Sequence, residues 1–342
     1  MKKKGFTLVE LLVVIAIIAL LMSILMPALS KVRKMANRIK CGSNISGLGK
    51  SMLIYANDND EEFPVSGGRS AEWANQGQTI ADYTATLRRD AYGTNNPTQA
   101  TIGSSLYLLI KYADAVPAQF VCGGDEGREE FEIIEDIAPE AISNNIADTE
   151  KLWDFSTKPG NYYSYSYQMP FVPPVANVQG GGSLRVPYPC TASSDGGRPV
   201  MSDRNPWLDI NANNHRDDSL SDSPDWPSGE EVPSPDAMWS QNGNEYTDPE
   251  GTWNSASHDF EGQNVLYVDG HVDFAKSANV GIDNDNLWWT WGVAGDQFAP
   301  DTKGKQAPDV GSDLQTVGAG GGAEATPFHK NDAYMASEMK QQ

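Results

Sequence analysis

The sequence has few of the residues that form disulfides or bind structural metals in small domains. It contains three cysteines and four histidines in 342 residues, and no two cysteines form a Cys-x-x-Cys pair. Three cysteines are too few for a disulfide-built scaffold, and the missing pair removes a usual sign of structural zinc. The fold must therefore depend mainly on a hydrophobic core.

Positive charge is also scarce outside the first forty residues. The chain has 25 basic and 46 acidic residues, a formal net charge of −21, and the basic groups concentrate at 1–40. The remaining residues form an acidic body, which phosphate backbones repel. Nucleic acid is therefore excluded as a partner of that body.

The longest apolar run lies at the amino terminus. Residues 11–26 are apolar except for Ser23, and neighbouring residues extend the run to about twenty. A helix of this length spans a bilayer. Lys2–Lys4 precede it and would stay on the cytoplasmic side by the positive-inside rule. These features predict a single-pass membrane helix.

Two residues at this end do not fit a plain anchor or an ordinary signal peptide. The small residue, Gly5, precedes the apolar run instead of following it. Glu10 lies inside the run, where a carboxylate costs about 2.5–3.5 kcal/mol at a helix centre and so needs a cationic partner. Cleavage between Gly5 and Phe6 would create one, the new α-amine of Phe6.

Residues 3–12, KKGFTLVELL, resemble the prepilin cleavage and methylation motif of type IV pilins and type II secretion pseudopilins. The resemblance implies that a prepilin peptidase cuts after Gly5 and methylates Phe6. It also implies that Glu10 pairs with the terminal amine of a neighbouring subunit. The implied partners are other pilin or pseudopilin subunits, an inner-membrane assembly platform and an ATPase.

The same resemblance implies a location and a role. The chain would sit in the inner membrane as a single-pass protein with a periplasmic head, and would then join a periplasmic or cell-surface filament. Its function would be structural, with no enzymatic activity. The rival hypothesis is a surface-displayed adhesin or glycan-binding protein that uses the pilin signal only for export.

The predicted helix covers residues 6–56, after a leader of residues 1–5. Pro27 lies inside it, as in pilin helices, and cannot donate a hydrogen bond to the carbonyl of Ser23, so a bend or melted turn is expected. Four apolar residues beyond it recur at helical spacing and predict a stripe buried against a head: Ile45, Leu48, Met52 and Tyr55. The helix should end at 57–60.

The rest of the chain predicts an α+β fold, in which the long helix packs on a small antiparallel sheet with long loop insertions. The head covers residues 57–300 and is followed by a disordered tail at 301–342. Shorter expected elements are a helix near 80–89, a helical turn at 106–112, a strand at 120–122, an amphipathic insertion at 126–152 and a half-buried strand at 162–167. No motif assigns a role to 66–115 or 170–250.

A hairpin is predicted over residues 263–274. Asp269-Gly270 stands between apolar runs and favours a two-residue turn, which places Val265 opposite Phe274. The apolar face of this hairpin is expected to lie on the long helix.

His258 and the hairpin together resemble the carboxy-terminal processing-associated segment of prepilin-like proteins, in which a His precedes Asp-Gly at a set spacing. Ten residues separate His258 from Asp269 here, against nine in the name of the segment. His271 follows the turn directly.

These side chains also contain the residue types of a catalytic triad or a zinc site. No nucleophile-elbow pattern accompanies them, and the turn uses Asp269, so neither a catalytic nor a cofactor or metal site is predicted. A histidine bonded to the turn backbone is the preferred interpretation. Asp283 and Asp285 are weak calcium candidates, interpreted as a solvated turn.

The head of an exported chain would enter an oxidising compartment, where disulfides persist. Cys122 can pair with Cys41 or with Cys190, and either choice leaves one thiol free. The sequence leaves both pairings open.

Overall fold

The computed structural model describes residues 8–68, 72–73, 80, 82–92, 99–125, 127–132, 149–168, 170, 190–204, 254–282, 287–288, 293–294, 297–298 and 335–336. These residues form a long helix and an antiparallel sheet, so the predicted α+β class is confirmed. Gly5, Phe6, Asp283 and Asp285 lie outside the described residues.

Helix α1 spans Leu8–Asp58, 51 residues. At 1.5 Å per residue it is about 76 Å long, more than twice the thickness of a bilayer's hydrocarbon core. The helix runs on through Pro27, so the expected melted turn is wrong. Proline removes one main-chain hydrogen bond, and the turns on either side stay helical. A bend at Pro27 stays a prediction.

The two halves of α1 differ in burial. Its large apolar side chains from Leu8 to Ile39 are 45–77% exposed. Eight residues of the second half are buried: Cys41, Ile45, Leu48, Gly49, Ser51, Met52, Tyr55 and Ala56. The predicted stripe is therefore confirmed. Among the described residues, α1 alone is long and apolar enough to cross a membrane.

The end of α1 agrees with the prediction. Asp60 and Glu61 both have positive φ values, 53° and 63°. The Asn59 side-chain amide donates to the Tyr55 carbonyl at 2.8 Å, and the Glu61 N–H donates to the Ala56 carbonyl at 2.9 Å. These bonds satisfy carbonyls that the last helical turn leaves open.

Nine strands are described. Two short pairs stand apart from the main sheet: β1 (Glu72–Trp73) runs parallel to β2 (Gln99–Ala100), and β7 (Val293–Ala294) runs antiparallel to β8 (Gln297–Phe298). The main sheet contains β3 (Tyr165–Gln168), β4 (Pro199–Asp203), β5 (Gln263–Tyr267), β6 (Val272–Ala275) and β9 (Met335–Ala336). Its order is β6-β5-β4-β3-β9, all antiparallel.

Two strands of this sheet correct the sequence predictions. Strand β9 pairs with β3, and Met335 is fully buried, so disorder at 301–342 is wrong for these two residues. Strand β3 is buried along its whole length, so the half-buried strand at 162–167 is wrong as well. The reason is that β3 lies between β4 and β9, inside the sheet.

The predicted hairpin exists, but its register differs by one residue. Val265 pairs with Asp273, whereas a two-residue turn would place it opposite Phe274. The loop has three residues, 268–270, and ends at Gly270 with φ 88°. Three-residue loops that end in a left-handed residue are a common alternative to the Asp-Gly turn.

The extra loop residue exchanges the two faces of β5. Leu266 pairs with Val272, and the Leu266 side chain lies against Gly49 of α1. Val265 is buried on the opposite face. The hairpin therefore packs on α1 as expected, but with Leu266 at the contact in place of Val265.

Two short helices lie beside this core, α2 at Arg88–Ala91 and α3 at Ile102–Tyr112. Helix α3 contains the predicted turn at 106–112 and starts earlier, because Thr101 and Ser104 form a capping box. The helix predicted near 80–89 is mostly wrong, since 82–87 form turns. The strand at 120–122 is also wrong: Pro117–Phe120 is a 3-10 turn. Most of the insertion at 126–152 lies outside the described residues.

Candidate functional site

The second half of α1 lies directly on the hairpin because it has glycines where the two meet. A Cβ at Gly49 would stand 2.7 Å from Leu266 Cδ1, and one at Gly42 would stand 2.9 Å from Asn264 Oδ1. Real Cβ atoms do not come this close. Glycine lowers helix propensity by about 1 kcal/mol relative to alanine, so these residues exchange helix propensity for close packing.

Polar side chains secure α1 where it leaves the head. Lys34 Nζ lies 3.0 Å from Asp259 Oδ2, and the Arg38 guanidinium stacks 3.8 Å above the Phe274 ring. The Asn37 amide donates to the Gly123 carbonyl at 3.0 Å. This collar fixes the direction in which the exposed half of α1 projects.

The exposed half of α1 is a continuous apolar surface. Lys34 of this half pairs with Asp259 of the head, and Glu10 lies among the exposed apolar residues near the start of the described helix. Such a surface in a water-soluble protein marks a membrane or protein interaction site. It is a candidate functional surface of the described chain.

A disulfide joins Cys41 of α1 to Cys122, which decides between the two pairings left open by the sequence. Cys190 is a buried free thiol, so its pairing with Cys122 is wrong. Burial raises the pKa of the Cys190 thiol to about 11. This thiol therefore stays protonated at neutral pH and is a weak nucleophile.

The two histidines of the processing-associated segment lie in different environments. His258, at the end of the 3-10 turn Ala256–His258, is buried, and its Nε2 atom lies 3.0 Å from Asp203 Oδ2 at the end of β4. The expected bond from His258 to the turn backbone is not its main contact.

His271 lies at the surface beside the turn. Its main-chain N–H donates to Asp269 Oδ1 at 3.1 Å, and its ring Nδ1 also contacts that carboxylate. Its ring stacks on Tyr267 with centroids 4.3 Å apart. The backbone bond, followed by the ring contact, lowers the pKa of Asp269. Gly270 completes the turn, so these residues hold the hairpin tip.

Asp203 is the residue that the sequence did not single out. It brings the number of potential metal ligands around His258 to four, since the ligand atoms of Cys41, Cys122, Asp203 and His258 all lie within 4.8 Å of one another. All four residues are buried. They are spread over more than two hundred positions, so no short motif connects them. The short apolar run before Asp203 indicates a strand there, but it does not indicate a role for Asp203.

The charge of Asp203 acts on a neighbouring phenol. Tyr165 pairs with Asp203 across β3 and β4. Burial, and then the negative charge of Asp203, raise the pKa of Tyr165. The interior beneath α1 thus contains a carboxylate next to an imidazole, with neutral aromatic groups around them.

The rival glycan-binding hypothesis required exposed aromatic rings. Tyr163, Tyr165 and Tyr167 are at most 2% exposed, and Trp288 is fully buried. These rings cannot stack on a sugar. Six further tryptophans lie outside the described residues: Trp207, Trp226, Trp239, Trp253, Trp289 and Trp291.

Comparison with known proteins bears on the amino terminus. The profile of the prokaryotic N-terminal methylation motif matches residues 1–26, which include Gly5, Phe6, Glu10 and most of the exposed half of α1. The amino terminus of this chain is therefore similar to that of prepilin-type proteins. The matched segment therefore includes the exposed apolar run of α1.

A curated relative supports the same assignment. This chain is 46% identical over 57 residues to the type IV wide pilus major component PilA4 of Thermus thermophilus. The aligned part is 17% of this chain and 44% of that relative, so the chain spans less than half of the relative's length. No solved structure matches.

Proposed function

We propose that the chain is a structural subunit of a type IV pilus or a type II secretion pseudopilus, assembled through the exposed half of α1. A prepilin peptidase cuts it after Gly5 and methylates Phe6. The subunit waits in the inner membrane with its head in the periplasm, and a platform and ATPase move it into the filament.

The observation that carries the proposal is the contrast along α1. One uninterrupted helix has its second half locked into the head and its first half exposed, apolar and long enough to cross a bilayer. An apolar helix surface of this size needs lipid or other helices around it. A subunit that moves from membrane to filament meets both needs in turn.

Glu10 gives the helix a register signal. A carboxylate in a hydrocarbon or helix-packed environment is costly unless a cation lies beside it. In the proposed filament, the methylated amine of Phe6 from a neighbouring subunit supplies that cation. The pair forms only when two subunits are offset correctly, so it selects one packing.

The proposal requires no reaction at the head. In this proposal the protein acts only by packing. The head holds the second half of α1 rigidly, and the first half of α1 makes the contacts between subunits. We therefore propose that the protein is not an enzyme and needs no cofactor for assembly.

The first test compares mature amino termini by mass spectrometry in cells with and without the prepilin peptidase. We expect a methylated Phe6 when the peptidase is present and an unprocessed chain when it is absent. Gly5→Val should block cleavage because the branched side chain replaces the small residue at the cut. An unprocessed chain in both strains would contradict the proposal.

The second test separates processing from assembly. Glu10→Gln keeps the side-chain size and removes the charge, so we expect incorporation into filaments to fall at least tenfold in a shear-fraction assay. Val9→Ala is the matched control at the neighbouring position and should assemble normally. If Glu10→Gln leaves both maturation and incorporation unchanged, the proposed role of Glu10 is wrong.

A further inference from the structure

Four buried side chains from separate parts of the chain meet beneath α1. Cys41 comes from the helix, Cys122 follows the Pro117–Phe120 turn, Asp203 ends β4, and His258 ends a 3-10 turn. Their ligand atoms lie within 4.8 Å of one another. Cys41 and Asp203 are fully buried, and His258 is 7% exposed.

The donor set is one that zinc prefers. Two thiolates, an imidazole and a carboxylate provide four ligands of the kinds found in tetrahedral zinc sites, at metal–ligand distances of about 2.0–2.3 Å. Ligand atoms in such a tetrahedron are roughly 3.3–3.8 Å apart, a separation that follows from those bond lengths. The four side chains therefore need to move by only about 1 Å once the two sulfurs are no longer bonded to each other.

Hydrogen bonds already orient two of the four ligands. The Asn264 main-chain N–H and side-chain amide both donate to Asp203 Oδ2, at 2.5 and 2.9 Å. The Gly124 N–H donates to Cys122 Sγ at 3.4 Å. Metal ligands characteristically have such outer partners, which fix their orientation.

One polar atom in the cluster lacks a partner. Asp203 Oδ1 is buried and accepts no hydrogen bond from the residues that the structure describes. A buried carboxylate oxygen left in this state is costly. A cation bound next to Asp203 would satisfy it.

We propose that the chain with Cys41 and Cys122 reduced binds one Zn²⁺ through Cys41, Cys122, Asp203 and His258. In this buried site, Cys41 and Cys122 then either bind the zinc ion or form the disulfide. Binding converts two thiols to thiolates and releases two protons to solvent, with no electron transfer. Replacement of zinc by the disulfide transfers two electrons from the thiolates to a disulfide oxidant and frees the metal.

This inference goes beyond the proposed filament role and stands independently of it. A newly synthesised chain has free thiols before it is oxidised. Zinc would hold α1, β4 and the 256–258 turn together during that interval. The metal would thus hold Cys41 and Cys122 close together before the disulfide forms between them.

The test uses the full chain in detergent micelles. A Cys190→Ala background removes the third thiol. The protein is unfolded and reduced with a phosphine in the presence of chelator, then refolded without oxygen with Zn²⁺ or Co²⁺. After gel filtration, we expect one metal per reduced chain and less than a tenth of one per oxidised chain. Bound Co²⁺ should show a thiolate charge-transfer band and the strong visible absorption of tetrahedral geometry.

Variants assign the ligands. Asp203→Asn and His258→Gln should each weaken Zn²⁺ binding by about 10-fold or more, and they should change the Co²⁺ spectrum. His271→Gln is the matched control, because it alters the exposed histidine of the same segment. It should bind as the parent does.

A second measurement needs no substitution at the site, so it tests the proposal even if the ligand variants fail to fold. In the reduced Cys190→Ala chain, Zn²⁺ should slow the alkylation of Cys41 and Cys122 by N-ethylmaleimide at least tenfold, as counted by mass spectrometry. The proposal is wrong if the refolded reduced chain keeps its far-ultraviolet circular dichroism but binds no metal. It is also wrong if zinc leaves both alkylation rates unchanged.

Discussion

The two halves of α1 belong to one uninterrupted helix but have different neighbours. From Leu8 to Ile39 the large apolar side chains are exposed, and Lys34 and Asn37 join this half to the head. From Cys41 onward, glycines and small residues let the helix lie on β5. Apolar composition alone therefore does not decide burial, because the exposed half is the more apolar one. Burial differs between the two halves because only the second half packs on other elements of the same chain.

The largest expected effect comes from cutting the covalent link at the boundary between the halves. Replacing Cys41 and Cys122 by serine opens a loop with a sequence separation of 81 residues. Loop-closure entropy predicts a loss of about 4 kcal/mol in the free energy of unfolding. Urea unfolding of the full chain in micelles, followed by tryptophan fluorescence, measures it.

The control for this prediction is Cys190→Ala, which removes the unpaired thiol and leaves the disulfide intact. Its urea midpoint should stay much closer to that of the parent. Equal losses in the two proteins would show that the disulfide is not what fixes α1 to the head.

A matched pair of leucines tests the contrast directly. Leu48→Ala removes a fully buried side chain from the second half of α1 and should cost about 3 kcal/mol of unfolding free energy. Leu20→Ala removes one that is 63% exposed and should change it by less than about 0.5 kcal/mol. Similar losses at both positions would mean that the first half of α1 also packs on the head. The same urea titration measures both.

Two glycines sharpen the comparison within the second half. Gly49→Leu forces a side chain against Leu266, and overpacking should cost about 2 kcal/mol of unfolding free energy. A Cβ at Gly47 would meet the end of the flexible Gln119 side chain, with the Nε2 atom at 3.0 Å and Cδ at 3.7 Å. Gly47→Ala should therefore be neutral or slightly stabilising, because alanine favours the helix. Thermal unfolding of the two variants separates steric contact from propensity.

The smallest effect is expected at the hairpin tip, which lies beside Leu53 of α1. The hydrogen bond from the His271 main-chain N–H, followed by the contact with its ring, lowers the pKa of Asp269 from its ordinary value in the folded protein. Its contribution to stability is therefore present above its unfolded pKa and is lost as pH falls through the folded value. Asp269→Asn should lower the urea midpoint slightly at neutral pH, and the difference should shrink as the carboxylate is protonated in acid. A difference that grows on acidification would contradict this assignment.

Much of the helix could be predicted from sequence because its signals are local. The stripe of Ile45, Leu48, Met52 and Tyr55 follows helical periodicity, and the polar run after Tyr55 marks the helix end. The hairpin was also predictable, since Asp-Gly is a short-range signal. Its register was not, because two- and three-residue loops share that signal and differ only in backbone angles.

The parts that could not be predicted depend on distant contacts. Strand β4 lies in a stretch of sequence rich in Gly, Pro and Ser, and it becomes a strand because β3 and β5 flank it. Strand β9 follows a long polar tail and is recruited by the edge of β3. The cluster around Asp203 requires both the sheet order and the disulfide, so no spacing rule along the chain reveals it.

The position of the disulfide has a mechanical consequence. Cys41 is the first buried residue of α1, so the bond to Cys122 lies where the projecting half enters the head. A tensile load along that half reaches the head through a covalent bond. The load cannot peel the buried turns away one at a time from Cys41. Under strain, the projecting segment must stretch before the anchored one detaches.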